Sequence, residues 1–302
     1  MSANVAVSVR FHPPPEDLRR YFTSFYHTEI TAPPGELVRD ALHPEWGGLR
    51  FFAGGNPQAR IADGPLVAGA RFIATGPTTR STDFTLGTTR IWGVGLLPLG
   101  WARFVRQPAA DHANTAVDGD RHPAFARFSP LADRLCAAPG DPLAELAQIT
   151  AFFRGLPAVR DIDADRILAI HAAMIDPEVV SVTQLVARVG ASQRTVERLT
   201  ARHFGFSPKQ LLRRQRFMRS LAQFMLDPSL KWIGAMDWAY HDQAQFVRDF
   251  HEFMGQTPRE YAATPHPVLD VFTRERARLH GAAVQTLDKP EGAAPAPSAD
   301  AA

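Results

Sequence analysis

The stretch of sequence that decides the fold is GASQRTVERLTARHFGFSPK, residues 190–209. Ser192 stands where a helix N-cap belongs, because its hydroxyl can accept a free backbone N–H of the first turn. Gly205 stands where that helix ends, and Ser207-Pro208 opens the next helix with a cap and a proline. Apolar side chains recur between these signals at helical spacing: Val196, Leu199 and Phe204. The stretch therefore predicts a helix that starts after Ser192 and closes at Gly205.

A shorter helix is predicted immediately before this one. Its apolar stripe is formed by Val182, Leu185, Val186 and Val189. Gly190-Ala191 supplies the turn between the two helices, because glycine adopts positive φ without a Cβ clash. Two helices joined at a steep angle by a short turn form a helix-turn-helix, whose second helix can enter the major groove of DNA.

The same pattern returns about fifty residues later in AYHDQAQFVRDFHEFMGQTPR, residues 239–259. The inward stripe of the second copy consists of Phe246, Phe250 and Phe253. Gly255 and Thr257-Pro258 close its helix in the way that the corresponding residues close the first copy. The sequence therefore predicts two helix-turn-helix units.

Positive charge gathers around the first unit. Residues 181–220 hold nine basic side chains and one acid, Glu197, a local excess of eight positive charges, whereas the whole chain carries a formal net charge of +2. A basic face on a helical unit is typical of phosphate binding. The charge pattern thus agrees with a domain that binds nucleic acid.

Both units resemble the halves of an AraC/XylS-type DNA-binding domain. The resemblance covers roughly residues 160–265 and rests on five motifs: Ala191–Arg198, His203–Lys209, Asp242–Phe246, Arg248–Phe250 and Gly255–Pro258. The second unit departs from the family pattern at two positions. Ala239 occupies a turn position that is usually glycine, and His241 stands where a better N-cap is common. These departures predict strain of about 1 kcal/mol at Ala239 and weaker DNA binding by the second unit.

The resemblance implies which side chains contact DNA. Base contact is assigned to outward positions of the second helix of each unit: Gln193, Arg194, Glu197, Arg198, Gln243, Gln245 and Arg248. Arginine can grip guanine with two hydrogen bonds, and glutamine can do the same for adenine. Phosphate contact is assigned to helix starts and to basic side chains of the connecting helix: Ser192, Ser207, Lys209, Arg213, Arg214, Arg216, Thr257 and Arg259.

The predicted connecting helix has a suitable length for this purpose. It runs over nineteen residues, Pro208 to Leu226, which corresponds to about 28 Å at 1.5 Å per residue. Successive major-groove faces on one side of a duplex lie roughly 34 Å apart. We therefore expect the two second helices to lie along one side of the same DNA.

Residues 1–155 are predicted to form a β-rich sensor domain with trailing helices. Short apolar runs separated by Gly, Pro and Asp suggest a sandwich or barrel up to about residue 115. This segment resembles the cupin-like sensor domains that precede such DNA-binding units. Helices are expected over residues 124–138 and 142–153, and both a dimer contact and packing back onto the sheet are open for them. The predicted fold class is α+β, a β-rich barrel or sandwich followed by an all-α domain at residues 160–265.

A small-molecule effector is the predicted input of the N-terminal domain. Ligand sites are mostly apolar with a few polar groups. Six aromatic side chains are candidates to line such a pocket: Trp46, Phe51, Phe72, Phe84, Trp92 and Trp101. Core packing is the commoner role of such residues, and the sequence does not identify the effector.

No enzyme signature accompanies these features. A cupin metal site would need clustered histidines with a carboxylate, and the N-terminal histidines form neither a His-x-His nor a His-x-x-x-His pair: His12, His27, His43, His112 and His122. No P-loop, nucleophile elbow or dinucleotide fingerprint is present, and Cys136 is the only cysteine. We expect no catalytic residues, no metal and no cofactor.

Targeting signals are also not evident. No apolar run approaches the roughly eighteen residues of a membrane span, and residues 1–9 lack the pattern of a secretion signal. The chain is therefore expected in the bacterial cytoplasm, without membrane contact. Residues 281–302 are rich in Ala and Pro and are predicted to be a disordered tail.

Together these features predict a sequence-specific DNA-binding transcription regulator of AraC type, controlled by an effector. The implied partners are a double-stranded DNA operator and the effector, with RNA polymerase and a second copy of the chain as further candidates. Two other hypotheses stay open. One is a ligand-binding protein that docks its basic helices on another protein, and the other is a metal-dependent cupin enzyme.

Overall fold

The computed structural model describes residues 5–137, 140–157, 162–281 and 283–291. A β-rich region of two sheets comes first, and a helical region follows it. The predicted α+β class, with the two regions in this order, is confirmed.

Ten strands build the N-terminal region: β1 (Ala6–His12), β2 (Phe22–Thr31), β3 (Val38–Leu42), β4 (Gly47–Ala53), β5 (Gln58–Ile61), β6 (Val67–Ala68), β7 (Phe72–Thr75), β8 (Thr82–Leu86), β9 (Thr89–Leu96) and β10 (Ala116–Asp118). One sheet has six strands in the order β1-β2-β9-β4-β7-β10, and the other has four in the order β3-β8-β5-β6. Neighbouring strands pair antiparallel. Between the two predicted alternatives, barrel and sandwich, the structure is a sandwich.

The sandwich is held together by apolar side chains between its two sheets. The larger sheet contributes Ile30, Phe52, Ile73 and Ile91, and the smaller sheet contributes Val38, Ile61 and Leu86. Because side chains alternate along a strand, a second set from the larger sheet points to its other face: Phe25, Leu49, Phe51, Phe72, Trp92 and Val94.

Three helices cover that other face. They are α1 (Pro98–Gly100), which continues as a π-helical turn over Trp101–Val105, α2 (Ser129–Leu135) and α3 (Pro142–Gly155). Ile149 and Phe153 of α3 are buried against the sheet, whereas Leu143 is 63% exposed. Of the two roles left open for these helices, packing onto the sheet is therefore present. A dimer contact stays a prediction.

The described residues of the helical region form eight further α-helices: α4 (Ala164–Ile175), α5 (Val182–Val189), α6 (Gln193–Phe204), α7 (Pro208–Leu226), α8 (Lys231–Ala235), α9 (Gln243–Met254), α10 (Pro258–Ala263) and α11 (Leu269–His280). The predicted starts of α6 and α7 are correct, because the hydroxyls of Ser192 and Ser207 accept backbone N–H groups of the first turn. Gly205 and Gly255 end α6 and α9 with φ angles of 85° and 70°, a conformation that favours glycine.

The start of the second unit differs from the expectation. Asp242, not His241, is the N-cap of α9, and its carboxylate accepts the N–H of Gln245 at 2.7 Å. Ala239 is not among the non-glycine residues with positive φ in the described chain. The predicted strain at Ala239 is therefore wrong, because the turn between α8 and α9 does not place this residue in the left-handed region.

The predicted start of the disordered tail, residue 281, lies too early in the chain. Ala283 and Val284 are buried in one cluster with Phe217 and Met218 of α7, and the Gln215 Nε2 donates to Thr286 O at 2.6 Å. Composition alone missed this segment because a few small apolar residues suffice where an existing surface receives them. Residues 292–302 lie outside the described residues.

Candidate nucleic-acid interface

Helix α6 presents the polar face that the sequence predicts. Gln193, Arg194, Glu197 and Arg198 are exposed, while Val196 and Leu199 are buried on the other side. Gln193 Nε2 donates to Glu197 Oε1 at 2.8 Å, which holds the amide and the carboxylate together on the helix surface. Arg194 makes no ion pair with any described residue. Its guanidinium is thus available to a ligand.

Helix α9 presents a comparable but smaller polar face. Gln243 and Arg248 are exposed, and Phe246, Phe250 and Phe253 point into the core as predicted. Gln245 is half-buried, and its Oε1 accepts the N–H of His241 at 3.3 Å. Gln245 therefore supports the start of the helix, and Gln243 and Arg248 are the freer base-contact candidates of the second unit.

Much of the basic charge that the sequence shows around the first unit is neutralised in the fold. Five of the nine basic side chains pair with acids, all of which lie outside residues 181–220: Arg188 with Asp176, Arg198 with Asp163, Arg213 with Asp249 and Glu252, Arg216 with Asp249, and Arg219 with Asp237. Arg194, Arg202 and Lys209 are exposed and have no acidic partner among the described residues. The positive charge that is left unpaired around the first unit is therefore smaller than the excess of eight charges counted in the sequence.

Arg214 does not have the predicted phosphate role in this structure. Its side chain is fully buried, its guanidinium lies 3.9 Å above the ring of Trp46, and it donates to Thr78 O at 3.0 Å. Burial lowers the pKa of Arg214 to about 9, so the group is still charged at neutral pH. Arg214 is a cation between sandwich and helical region. The sequence held a signal for this, because position 214 falls on the inward stripe of α7 with Leu211 and Met218.

A basic groove of about 340 Å³ lies between the start of α5, α7 and the start of α9. Three residues of the predicted phosphate set line it, Lys209, Arg213 and Arg216. The other lining residues are Arg219, Gln245, Val179, Val180, Ser181, Val182 and Leu212. Asp249, which is 2% exposed, pairs with Arg213 at 2.6 Å and with Arg216 at 3.0 Å. The groove therefore presents guanidinium groups whose positions are fixed by ion pairs.

The other predicted phosphate residues do not line this groove. The hydroxyls of Ser192 and Ser207 cap their own helices, and Thr257 forms a reciprocal capping box with Glu260. Arg259 is exposed at the start of α10. Sequence reasoning missed Arg202 and Arg219 as candidates. Arg202 follows Arg198 at helical spacing on the polar face of α6, so the sequence contained the signal.

The sandwich encloses two adjoining cavities of about 50 and 80 Å³. The first is apolar and lies between the sheets, and the second has both apolar and polar walls. They share Tyr26, Leu42, Arg50 and Phe272. In the second cavity Arg50 pairs with Glu45 at 2.6 Å, and Gln285 Nε2 donates to the same carboxylate at 2.5 Å. The walls therefore come from the sandwich, from α11 and from the segment after it.

Of the six aromatic residues predicted to line an effector pocket, Phe84 alone lines these cavities. Phe51, Phe72, Trp92 and Trp101 are buried in the core beneath α1–α3. Trp46 lies under Arg214, in the cluster that joins the sandwich to the helical region. These five side chains lie in packed cores, because large aromatic side chains fill the covered face of the sheet and the junction with the helical region, whereas the two cavities lie elsewhere.

A known domain family matches part of the helical region. Residues 185–264 match the family model described as a helix-turn-helix domain. Over this segment the resemblance to AraC-type DNA-binding domains is confirmed. No curated protein matches the chain significantly in sequence.

Solved structures that the chain matches include the following three. The 1.65 Å structure of ToxT from Vibrio cholerae is 9% identical with a TM-score of 0.42, covering 85% of this chain and 97% of that chain. ToxT of strain SCE256 with a bound unsaturated fatty acid is 10% identical with a TM-score of 0.40, covering 86% and 96%. The AraC-like transcriptional activator CuxR is 10% identical with a TM-score of 0.26, covering 72% and 87%.

No group of three or more His, Cys, Asp or Glu side chains in residues 5–137, 140–157, 162–281 and 283–291 is arranged to hold a metal ion. Within the same ranges, no helix is both long enough and apolar enough to span a bilayer.

Proposed function

We propose that the protein is a sequence-specific DNA-binding transcription regulator whose operator affinity is set by a small molecule in the sandwich cavities. One observation carries the proposal: α6 and α9 each bury an apolar face and expose a polar one bearing an unpaired arginine. Arg194 on α6 and Arg248 on α9 make no ion pair with any described residue. Both side chains can therefore bind base edges without breaking an ion pair of the fold.

Base recognition follows from the chemistry of these faces. Arg194 and Arg248 suit guanine O6 and N7, and Gln243 suits adenine N6 and N7. Glu197 can accept from cytosine N4, and its bond to Gln193 holds it in place. Each face thus offers a different set of donors and acceptors, so we expect two different boxes in the operator.

Phosphate binding is assigned to the basic groove and to Lys209 at the start of α7. Lys209 is exposed and lies one residue after Pro208, which is the first residue of α7, so the positive end of the helix dipole adds to its charge. Arg213, Arg216 and Arg219 are already paired with acids. They orient a phosphate by hydrogen bonds, but they add little net charge.

Lys209→Ala is expected to change the salt dependence of binding. Each phosphate contact that releases a counterion contributes about 0.9 to the slope of log K against log salt concentration, so loss of Lys209 should lower the slope by about that amount on any duplex. Fluorescence anisotropy with a random-sequence duplex at 50–200 mM salt measures it. Lys289→Ala is the matched control, because this exposed lysine lies beyond the helix-turn-helix domain.

The same titration tests the proposed function itself. The alternative of a module that docks on another protein predicts no binding to a random duplex, or binding without a steep salt slope. Binding that weakens by orders of magnitude between 50 and 200 mM salt supports the proposal. A wild-type affinity for duplex DNA that salt does not change overturns it.

Effector control is supported by where the cavities lie. Their walls include Val268 and Phe272 of the segment that follows the helix-turn-helix domain, and Gln285 beyond it. A ligand there contacts the sandwich and the end of the helical region together. A ligand can shift a conformational equilibrium only by binding its two states differently, and a site shared by both parts of the molecule meets that requirement.

A further inference from the structure

One loop of the sandwich contacts three parts of the helix-turn-helix domain: the end of α6, the connecting helix α7 and the end of α9. Helices α6 and α9 are called the recognition helices below. The loop is Gly76–Ser81, between β7 and β8, and from here on it is called the 76–81 loop. Each of its last five residues touches the helical region. A Cβ on Gly205, at the end of α6, would lie 3.2 Å from Ala109 O and 3.4 Å from the Cβ of Pro77. Helix α6 therefore ends against this loop and the neighbouring Ala109.

The middle of the loop holds the connecting helix α7. Thr78 O accepts from Arg214 Nη1 at 3.0 Å, and Thr79 Oγ1 accepts from Gln210 Nε2 at 3.5 Å. Arg214 is fully buried, so its contact is shielded from water. The helix that separates the two recognition helices is thus fixed to the same loop.

The end of the loop caps the second recognition helix. Arg80 Nη1 donates to Glu252 O, Ser81 N donates to Phe253 O at 2.8 Å, and Ser81 Oγ donates to Met254 O at 3.4 Å. The last four carbonyls of a helix have no partner within it. Three carbonyls in the final turn of α9 find theirs in the sandwich.

On its inner side the loop is held firmly by the sandwich. Thr78 exchanges two hydrogen bonds of 2.8 Å with the backbone of Glu45, and Thr79 N donates to Asn114 Oδ1 at 2.7 Å. Asn114 N donates to Pro77 O at 2.9 Å. A Cβ at Gly76 would lie 1.8 Å from His112 O, so only glycine fits there. The loop therefore holds the helices that it contacts in a fixed position relative to the sandwich.

We propose that the 76–81 loop is a positioning element that sets the separation of α6 and α9, and thereby the spacing of the two operator boxes. This inference rests on the proposed function. Two binding elements act together only when their separation matches that of their sites, and holding them in that geometry beforehand removes part of the ordering penalty. A loop that fixes the ends of both helices supplies that geometry.

The same loop lies directly between the cavities and the recognition helices. Ile73 and Thr75 of β7, and Thr82, Phe84 and Leu86 of β8, line the apolar cavity. The strands on either side of the loop are therefore cavity walls. A ligand that changes the distance between β7 and β8 moves the 76–81 loop. The separation of α6 and α9 then changes, and with it the spacing of operator boxes that the protein fits.

The test uses the full chain and compares box spacing. Duplexes selected from a random pool by the wild type define the two boxes, and the dissociation constant is then measured on the selected site and on versions with one or two base pairs inserted between the boxes. We expect one inserted base pair to weaken the affinity of the wild type about tenfold or more, because the insertion both lengthens the site and rotates one box relative to the other. In Pro77→Gly/Arg80→Ala the penalty should fall to about threefold or less, with the same boxes.

Arg71→Ala is the matched control, because this exposed arginine of the sandwich pairs with Asp120 and Asp133 and not with the helical region. It should keep the wild-type penalty. Arg80→Ala alone, which changes one half-buried side chain, should reduce the penalty in the same direction but by less, and it guards against misfolding of the double variant. The proposal is overturned if Arg80→Ala, with a wild-type unfolding transition, shows the wild-type insertion penalty. A wild type that enriches no sequence at all overturns the proposed function instead.

Discussion

Replacing Arg214 with Ala is expected to lower the free energy of unfolding by about 3 kcal/mol and to leave the salt slope of DNA binding unchanged. The side chain is fully buried, donates to Thr78 O and stacks on Trp46. A hydrogen bond from a charged donor contributes about 1.5–3 kcal/mol, and a desolvated cation over an aromatic ring contributes about 2 kcal/mol. Relief of the buried charge offsets part of this sum. Urea unfolding followed by circular dichroism measures the change.

Two further variants separate packing from charge. Arg214→Met keeps most of the volume without the cation and should lose less stability than Arg214→Ala, because apolar replacement of a buried charge is often tolerated. Arg202→Ala, at an exposed arginine without an acidic partner among the described residues, should stay within about 0.5 kcal/mol of the wild type. Wild-type stability in Arg214→Ala combined with a reduced salt slope would restore the phosphate role for this residue.

The free energy of unfolding is expected to fall by about 4 kcal/mol between pH 7 and pH 5. Burial lowers the pKa of His43 and of His171 to about 3, from 6.5 in an unfolded chain. Between these values the unfolded state binds more protons than the folded state. Stability is therefore fully present above pH 6.5 and is lost as the pH falls, by about 1.4 kcal/mol per pH unit for each histidine. Urea titrations at pH 7, 6 and 5 give the slope.

Two substitutions assign that slope to its residues. His43 Nε2 is bonded to the Tyr261 hydroxyl at 2.8 Å, and Gln in its place keeps a polar partner that does not titrate. His171 packs edge-on to Trp46 and Phe204, so Leu is the matching replacement. Each variant should lose the contribution of one histidine, about 1.4 kcal/mol per pH unit. The double variant should retain the part due to His12, His27 and His112, whose pKa burial also lowers. Equal stability of the wild type at pH 7 and pH 5 would contradict the burial of these side chains.

The local part of the fold could be predicted from the sequence because its signals are local. Ser192 and Gly205 mark the bounds of α6, and Ser207-Pro208 marks the start of α7, since caps and left-handed glycines act within one turn. The nineteen residues predicted for α7 are the nineteen observed. The polar faces of α6 and α9 followed from helical spacing in the same way.

The parts that could not be predicted depend on contacts between distant segments. Charge counted along residues 181–220 ignored Asp163, Asp237 and Asp249, which reach the same arginines through the fold. The aromatic residues suggested for a pocket are the ones that best fill a core, so composition could not separate the two roles. The segment 283–291, in which Ala283, Val284 and Thr286 are buried, has little apolar bulk, and only the surface that receives it gives it order.

The most direct test of the account is selection of duplexes from a random pool by the wild type, Arg194→Ala and Arg248→Ala. The account predicts a wild-type site of two boxes about one helical turn apart. Arg194→Ala should relax one box and Arg248→Ala the other, each at a loss of about 1–3 kcal/mol on the selected site. A loss that is equal on selected and random duplexes, or two variants that relax the same box, would contradict a protein that reads DNA with two separate helices.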